Sequence, residues 1–259
     1  ILSHPANPTN QTFAIFEFDS NESGSTFECS LDNSAYSPCV SPKTYSGLSS
    51  GIHIFKVRAI DAASNIDSSP AEFQWTVDTE APGTRILTMP NNPSNSTSAT
   101  FTFSSNDPQA TYECSIDGGA WTPCSSPTAY SSLSEGTHNF RVRARDQLGN
   151  IEQNPPSYTW DIDITPPDTV ITIFPTDPTN DPAPSFSFNS SESGSTFECS
   201  YDFGDFFACS SPHIWSGISE GVRYFRVRAV DRAGNIDPTP TQYSFTVDLT
   251  APDTYIINK

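Results

Sequence analysis

The sequence predicts an all-β chain of three tandem β-sandwich domains, each about 85 residues long. Three observations carry that reading. The chain superposes on itself when shifted by 85 residues, and again on a second shift, with no insertion or deletion. Cys29, Cys114 and Cys199 align, as do Cys39, Cys124 and Cys209, and the tripeptide "VRA" recurs at Val57, Val142 and Val227. Within each period, apolar and polar residues alternate with period two, as half-buried strands require. Helical periodicity of useful length is absent. A unit this long exceeds a solenoid repeat and suits a small independent domain. The repeats fall at 1–80, 81–165 and 166–250, and 251–259 starts a further one, because Ile1, Ile86, Ile171 and Ile256 share one position.

The second period justifies the elements in order. "TRILTM" is a short first strand, and "SATFTFSS" alternates as a half-buried one. "TYECSID" follows, then the turn "DGGA", then "WTPCSSP". "GTHNFRVRARD" is the longest alternating run and puts Phe140, Val142 and Ala144 on one face. Gly149 and Asn150 in "QLGN" supply turn positions that tolerate positive φ. "SYTWDID" closes the unit. Roughly seven short strands, punctuated by Pro and Gly, argue a sandwich. Trp75 and Trp160 in the last strand read as core, and Leu48, Leu133 and Ile218 read as the corner before the long strand.

The succession from "T-F-E-C-S-x-D" through "C-x-S-P", "F-x-V-R-A-x-D" and "G-N" to "A-P-x-T" resembles the Ig-like or fibronectin-III-like repeats carried in tandem by large bacterial surface and secreted proteins. The resemblance covers the whole chain three times. It implies the sandwich fold and a surface or secreted location. For function it implies spacers and, less often, binding modules. The third copy departs from the pattern: Arg223 stands for His53 and His138, Phe245 for the tryptophan, and Trp215 for the tyrosine.

The cysteines fall two per repeat, ten residues apart. A zinc site needs about four ligands, and each repeat offers one pair, with a recurring histidine that becomes Arg223. C-x-x-C redox motifs are absent. If the intervening turn has three residues, Cys29 faces Cys39 across a hairpin, as do Cys114 and Cys124, and Cys199 and Cys209. The expectation is three disulfides and an oxidising, extracellular setting, with free buried thiols as the alternative.

Net charge is −18 and lysine occurs only at positions 43, 56 and 259. Such a chain repels nucleic acid and anionic membranes. It has no apolar run of spanning length, so no membrane insertion is expected, and no signal peptide is recognisable. The opening and closing stretches read as those of a segment from a longer protein. No serine, cysteine or histidine constellation with a neighbouring base recurs, so catalysis is not expected and no cofactor is required.

Acidic residues gather where successive repeats would meet. Asp78 and Glu80 of one linker are expected near Asp146, Asn150 and Glu152. Asp163 and Asp168 of the next are expected near Asp231, Asn235 and Asp237. Hard oxygen ligands at a joint suit calcium, although Asp and Asn also simply suit turns. Sequons at Asn10, Asn21, Asn95 and Asn189 permit a glycan coat. Glu28, Glu113 and Glu198 should pair with Arg58, Arg143 and Arg228 if their strands adjoin. The linkers "DTEAPGT", "DITPPDT" and "DLTAPDT" carry prolines that stiffen the joint. At about 3.3 Å per strand residue each unit spans roughly 25–35 Å, so three in line make an extended rod on the order of 100 Å. The function expected is a structural, non-enzymatic segment of an extracellular stalk, fibre or adhesin. Its partners are neighbouring repeats of the same chain, or other copies in a filament. The alternative is a carbohydrate- or protein-binding module using loops at one end of the sandwich.

Overall fold

The computed structural model describes residues 1–257. All of its regular structure is β. The first repeat contributes β1 (Phe13–Phe16), β2 (Thr26–Leu31), β3 (Ser37–Cys39), β4 (Lys43–Ser46), β5 (Gly51–Ile60) and β6 (Ala71–Val77). The second contributes β7 (Thr84–Thr88), β8 (Ala99–Ser105), β9 (Thr111–Ile116), β10 (Thr122–Cys124), β11 (Thr128–Tyr130), β12 (Gly136–Arg145) and β13 (Ser157–Ile162). The third contributes β14 (Thr169–Ile173), β15 (Ser185–Ser190), β16 (Thr196–Tyr201), β17 (Phe207–Cys209), β18 (His213–Ile214), β19 (Gly221–Val230) and β20 (Thr241–Val247).

Each repeat builds two antiparallel sheets. The four-stranded sheets run β3-β2-β5-β6, β10-β9-β12-β13 and β17-β16-β19-β20. The smaller ones are β1-β4, β11-β8-β7 and β14-β15-β18. The short strand after the first cysteine strand joins the four-stranded sheet rather than the opposite one. That distinguishes the arrangement from a constant-type immunoglobulin sandwich and makes it fibronectin-III-like. In the first repeat the opening strand is reduced to a bridge, Ser3 with Glu17.

By contact density the chain forms two compact units. One holds residues 1–88, 101–128 and 140–158, and the other holds 89–100, 129–139 and 159 onward. The division crosses the second repeat, so each joint between successive repeats lies wholly inside one unit.

The cores follow from alternation. In the first repeat Phe16, Phe55, Trp75 and Val77 are buried with Cys29 and Leu48 around them. In the third, Phe186, Phe188, Phe225, Phe245 and Trp215 do the same. The phenylalanine pairs Phe16–Phe55, Phe101–Phe140 and Phe186–Phe225 each stack at 4.0 Å. Fully burying such a side chain contributes about 1.5–3 kcal/mol.

One edge of each four-stranded sheet is closed by a side chain. Asn7 Oδ1 accepts the Thr76 N–H at 3.0 Å, Asn92 Oδ1 accepts that of Asp161 at 3.0 Å, and Asp177 Oδ1 accepts that of Thr246 at 2.9 Å. Parallel bridges Thr9–Val77, Ser94–Ile162 and Thr179–Val247 continue the closure. This satisfies last-strand main-chain groups that would otherwise template pairing with other chains.

Candidate functional site

Two features recur with the repeat and carry its surface chemistry: a stapled hairpin, and the joint between one repeat and the next. All three disulfides form, Cys29–Cys39, Cys114–Cys124 and Cys199–Cys209, each with its Cα atoms 5.8 Å apart. The register differs from the expected one. Cys29 lies opposite Ser37, and Cys39 lies opposite Phe27, so each bridge runs diagonally. The cause is the turn. Only Asp32 and Asn33 form it, both at positive φ (52° and 59°), and the Ser34 N–H closes it on the Leu31 carbonyl at 3.0 Å. A two-residue turn followed by one irregular residue shifts the return strand from the register a three-residue turn would set.

The turn aspartate is anchored differently in different repeats. In the first, Asp32 Oδ1 accepts the Ile54 N–H at 2.9 Å and its Oδ2 meets His53 Nδ1 at 2.8 Å. His53 Nε2 meets the Ser49 carbonyl at 2.8 Å. Burial pulls the imidazole's pKa down, but the Ser49 carbonyl and the Asp32 carboxylate outweigh it and hold His53 above 6.5. In the third repeat Arg223 takes over both partners: Nε donates to the Ser219 carbonyl at 3.0 Å and Nη1 to Asp202 at 3.1 Å. The histidine-to-arginine change therefore preserves the anchor while removing its titration.

On the outer face, Glu28, Glu113 and Glu198 stand directly opposite Arg58, Arg143 and Arg228. The ion pairs close at 2.6, 2.6 and 2.7 Å. An aromatic ring from the hairpin covers each guanidinium: Tyr36 at 4.1 Å, Trp121 at 4.4 Å and Phe206 at 4.0 Å. Each pair and each cover contributes about 1 kcal/mol or less at such partly exposed positions.

At the joints, the linkers are held from both sides. The Thr79 N–H donates to Ser50 Oγ at 3.0 Å, and Thr165 Oγ1 donates to Glu135 at 2.8 Å, tying each linker to the repeat it leaves. Asn150 Nδ2 donates to the Asp78 carbonyl at 2.9 Å, and Asn235 Nδ2 to the Asp163 carbonyl at 2.7 Å, tying it to the repeat it enters. Asp146 and Asp231 orient these amides, each accepting one at 2.7 Å. Both asparagine amides are thus used as donors to protein oxygens.

The expected acidic residues separate into three groups, with Asp168 apart from all of them. Asp163 and Asp231 come together, joined by Glu192, with ligand oxygens of all three within 4.8 Å of one another. Burial, followed by the carboxylates of Asp163, Asp231 and Glu135, raises the pKa of Glu192 above 4.5. At the first joint, Asp78, Glu80, Asp107 and Asp146 line a cleft of about 320 Å³. Glu152 and Asp237 turn inward instead. Glu152 accepts the Thr84 N–H at 3.0 Å and the Ala144 N–H at 3.3 Å. Asp237 accepts Thr169 Oγ1 at 2.6 Å, and Thr169 Oγ1 accepts the Ala229 N–H at 2.7 Å. Asp168 is exposed just before β14, where its carbonyl accepts the Ser191 N–H and its own N–H donates to Ser191 Oγ, both at 2.8 Å. Sequence reasoning overlooked Asp107 and Glu192. The signal was present, since Glu22, Asp107 and Glu192 share one repeat position and all are acidic.

The sequons divide as well. Asn21, Asn95 and Asn189 are exposed and Asn10 is half-buried, and the two that sit at the joints are Asn10 and Asn95. Their amide nitrogens lie 3.7 and 3.5 Å from where a side chain on Gly149 or Gly234 would begin.

No family model matches the chain, and no curated protein matches it. Solved structures do. The FN1–FN3 domains of chicken CNTN1 align over 95% of this chain and 97% of that one, at 10% identity and a TM-score of 0.43. A structure concerning host cell surface retention of a 1.5-MDa bacterial ice-binding adhesin aligns over 92% and 91%, at 15% identity and 0.44. A tetra-tandem repeat from the extending region of a large adhesion protein aligns over 93% and 71%, at 16% identity and 0.31. These are fibronectin-III-like modules and tandem adhesin repeats. Likenesses this distant add nothing beyond the sandwich fold already described. No helix among the described residues is long and apolar enough to cross a membrane.

Proposed function

We propose that this chain is a structural, non-enzymatic segment of an extracellular stalk, fibre or adhesin, in which tandem sandwiches hold a terminal function away from the cell. The observation that carries the reading is the doubly anchored linker. An asparagine of the entered repeat and a side chain of the departing repeat hold the same short, proline-bearing segment, and the pattern recurs at both joints. A latch that recurs at both joints suits a spacer, whose role is to keep one repeat at a fixed geometry to the next. Three disulfides favour the extracellular location. Negative-stain electron microscopy of the native material tests the reading. A rod about one domain wide is expected for a stalk and a helical repeat for a filament, and a compact particle would overturn both.

Calcium belongs to the same proposal, narrowed to one joint. The convergence of Asp163, Glu192 and Asp231 favours it there, because three carboxylates repel one another unless a proton or a cation intervenes.

A further inference from the structure

The short edge strand of each four-stranded sheet is β3, β10 or β17. Its central residue is Pro38 in the first repeat, Pro123 in the second and Ala208 in the third. These residues lie opposite Glu28, Glu113 and Glu198.

Their main-chain direction follows from the flanking bonds. The Asp202 N–H donates to the Tyr224 carbonyl at 2.9 Å, so Asp202 and, by alternation, Ser200 and Glu198 turn their main chain toward β19. The Gly204 N–H closes on Tyr201, so the odd-numbered residues of β16 face β17. Ala208, opposite Glu198, therefore sends its N–H and C=O away from the sheet. The same bonds in the first repeat, Asp32 to Ile54 at 2.8 Å and Ser34 to Leu31 at 3.0 Å, turn Pro38 outward.

A proline in that position has no N–H to offer and blocks strand addition. Two repeats carry the block and the third lacks it. At the open edge Ala208 is exposed, Phe207 is 39% exposed and Phe203 is 59% exposed. The last strands of the same sheets are closed by Asn7, Asn92 and Asp177. Among these edges, β17 alone presents an outward N–H at its centre, next to apolar surface.

We infer that β17 is a self-association edge: two copies of this chain pair antiparallel through residues 206–210, with Ala208 opposite Ala208 of the second copy. Each Ala208 N–H donates to the other's carbonyl, and each Phe206 faces Ser210 across the seam. The charge distribution selects this occupant. The segment Phe206–Ser210 is uncharged in a chain of net charge −18, and the two-fold pairing leaves the two Asp205 carboxylates at opposite ends of the seam. Like charges never face each other there. The alanine methyl also leaves the approach clear where two longer side chains would meet. A seam of this size falls in the weak, transient class below about 1,200 Å² and gains strength only when several chains run side by side. This contact stands apart from the stalk reading, since it concerns one edge and is measured without imaging the fibre.

Sedimentation of the intact chain at concentrations rising to about 1 mM, near the weak end of specific affinities, tests it. The wild type should move from monomer to dimer, and the Ala208 amide should exchange several-fold more slowly as concentration rises. Ala208→Pro restores the residue of the other two repeats, so it suits the fold and should remain monomeric. Ala208→Lys places a charge on the same exposed edge and should also remain monomeric, independently of any strain that proline introduces. Pro123→Ala should open a second edge and strengthen association. A wild type that stays monomeric at every concentration, or a lysine variant that associates as the wild type does, overturns the inference. Capture of an unrelated extended peptide by a monomeric wild type would overturn it too.

Discussion

Thr84 and Thr169 occupy the same repeat position yet should respond oppositely to the same substitution. In the third repeat the Thr169 hydroxyl is a buried relay. It donates to Asp237, which is 1% exposed, and accepts the N–H of the buried Ala229 near the end of the long strand. Thr169→Val keeps the shape and removes the relay, leaving a buried amide without an acceptor and a buried carboxylate one donor short. Each such loss costs about 1–3 kcal/mol, so about 2–6 kcal/mol is expected in total. In the second repeat the acid is one methylene longer. Glu152 reaches the Thr84 and Ala144 N–H groups directly, and the Thr84 hydroxyl is buried with no hydrogen-bond partner among the described residues. Thr84→Val then removes an unsatisfied group and should leave stability unchanged or raise it by up to about 1 kcal/mol. Hydrogen exchange resolved by repeat, in the intact chain, reads both effects. The slowest β16 and β19 amides should exchange about 30-fold or more faster in the first variant, and the β9 and β12 amides should be unchanged or up to about fivefold slower in the second. Equal losses in the two variants, or a change below about 0.5 kcal/mol for Thr169→Val, would refute the relay.

Three further outcomes are expected. His53 is held above its unfolded value, so its contribution is fully present below about pH 6.5 and is lost as pH rises through the raised value. Exchange from the first repeat should accelerate over that range, and His53→Arg, copying Arg223, should flatten the profile; a slope that survives the substitution would count against the histidine. The Trp75 indole N–H is buried with no acceptor among the described residues, and Phe245 fills the equivalent place in the third repeat. Trp75→Phe should therefore cost less than about 1.5 kcal/mol in chemical denaturation, against about 3–5 for Trp75→Ala. Calcium should raise the melting temperature relative to chelator, and Glu192→Gln with Asp231→Asn should abolish the difference; identical melting with and without the ion removes calcium from the proposal.

The sandwich was legible because its causes are local. Phe140, Val142 and Ala144 alternate along a run long enough to show period two, and they are buried as that alternation requires. The disulfide partners were legible from their recurrence. Their register was not, because it depends on whether Asp32 and Asn33 both enter the left-handed region, and a turn-like "LDNSA" allows turns of two or three residues. The joints were half legible. Asp163 and Asp231 could be placed together from the expected fold, but Glu192 enters from a loop whose course no periodicity reveals. Glu152 and Asp237 looked like ligands of the joint because nothing in the sequence shows that a carboxylate turns inward to cap an amide.

By itself the amino-acid sequence determined the repeat length, the strand alternation, the identity of the core and the pairing of the cysteines. Each of these depends on residues close in the chain or on exact recurrence. Only the tertiary structure decided which carboxylates converge, which hydroxyl is a relay and which is stranded, and which sheet edge is left open. Those outcomes rest on directions: where a hydrogen-bond donor points once two strands have paired. Ala208, where the other two repeats have Pro38 and Pro123, is a one-letter difference in sequence. Its meaning came from the pairing of β16 with β19, which turns that residue's N–H outward rather than into the sheet.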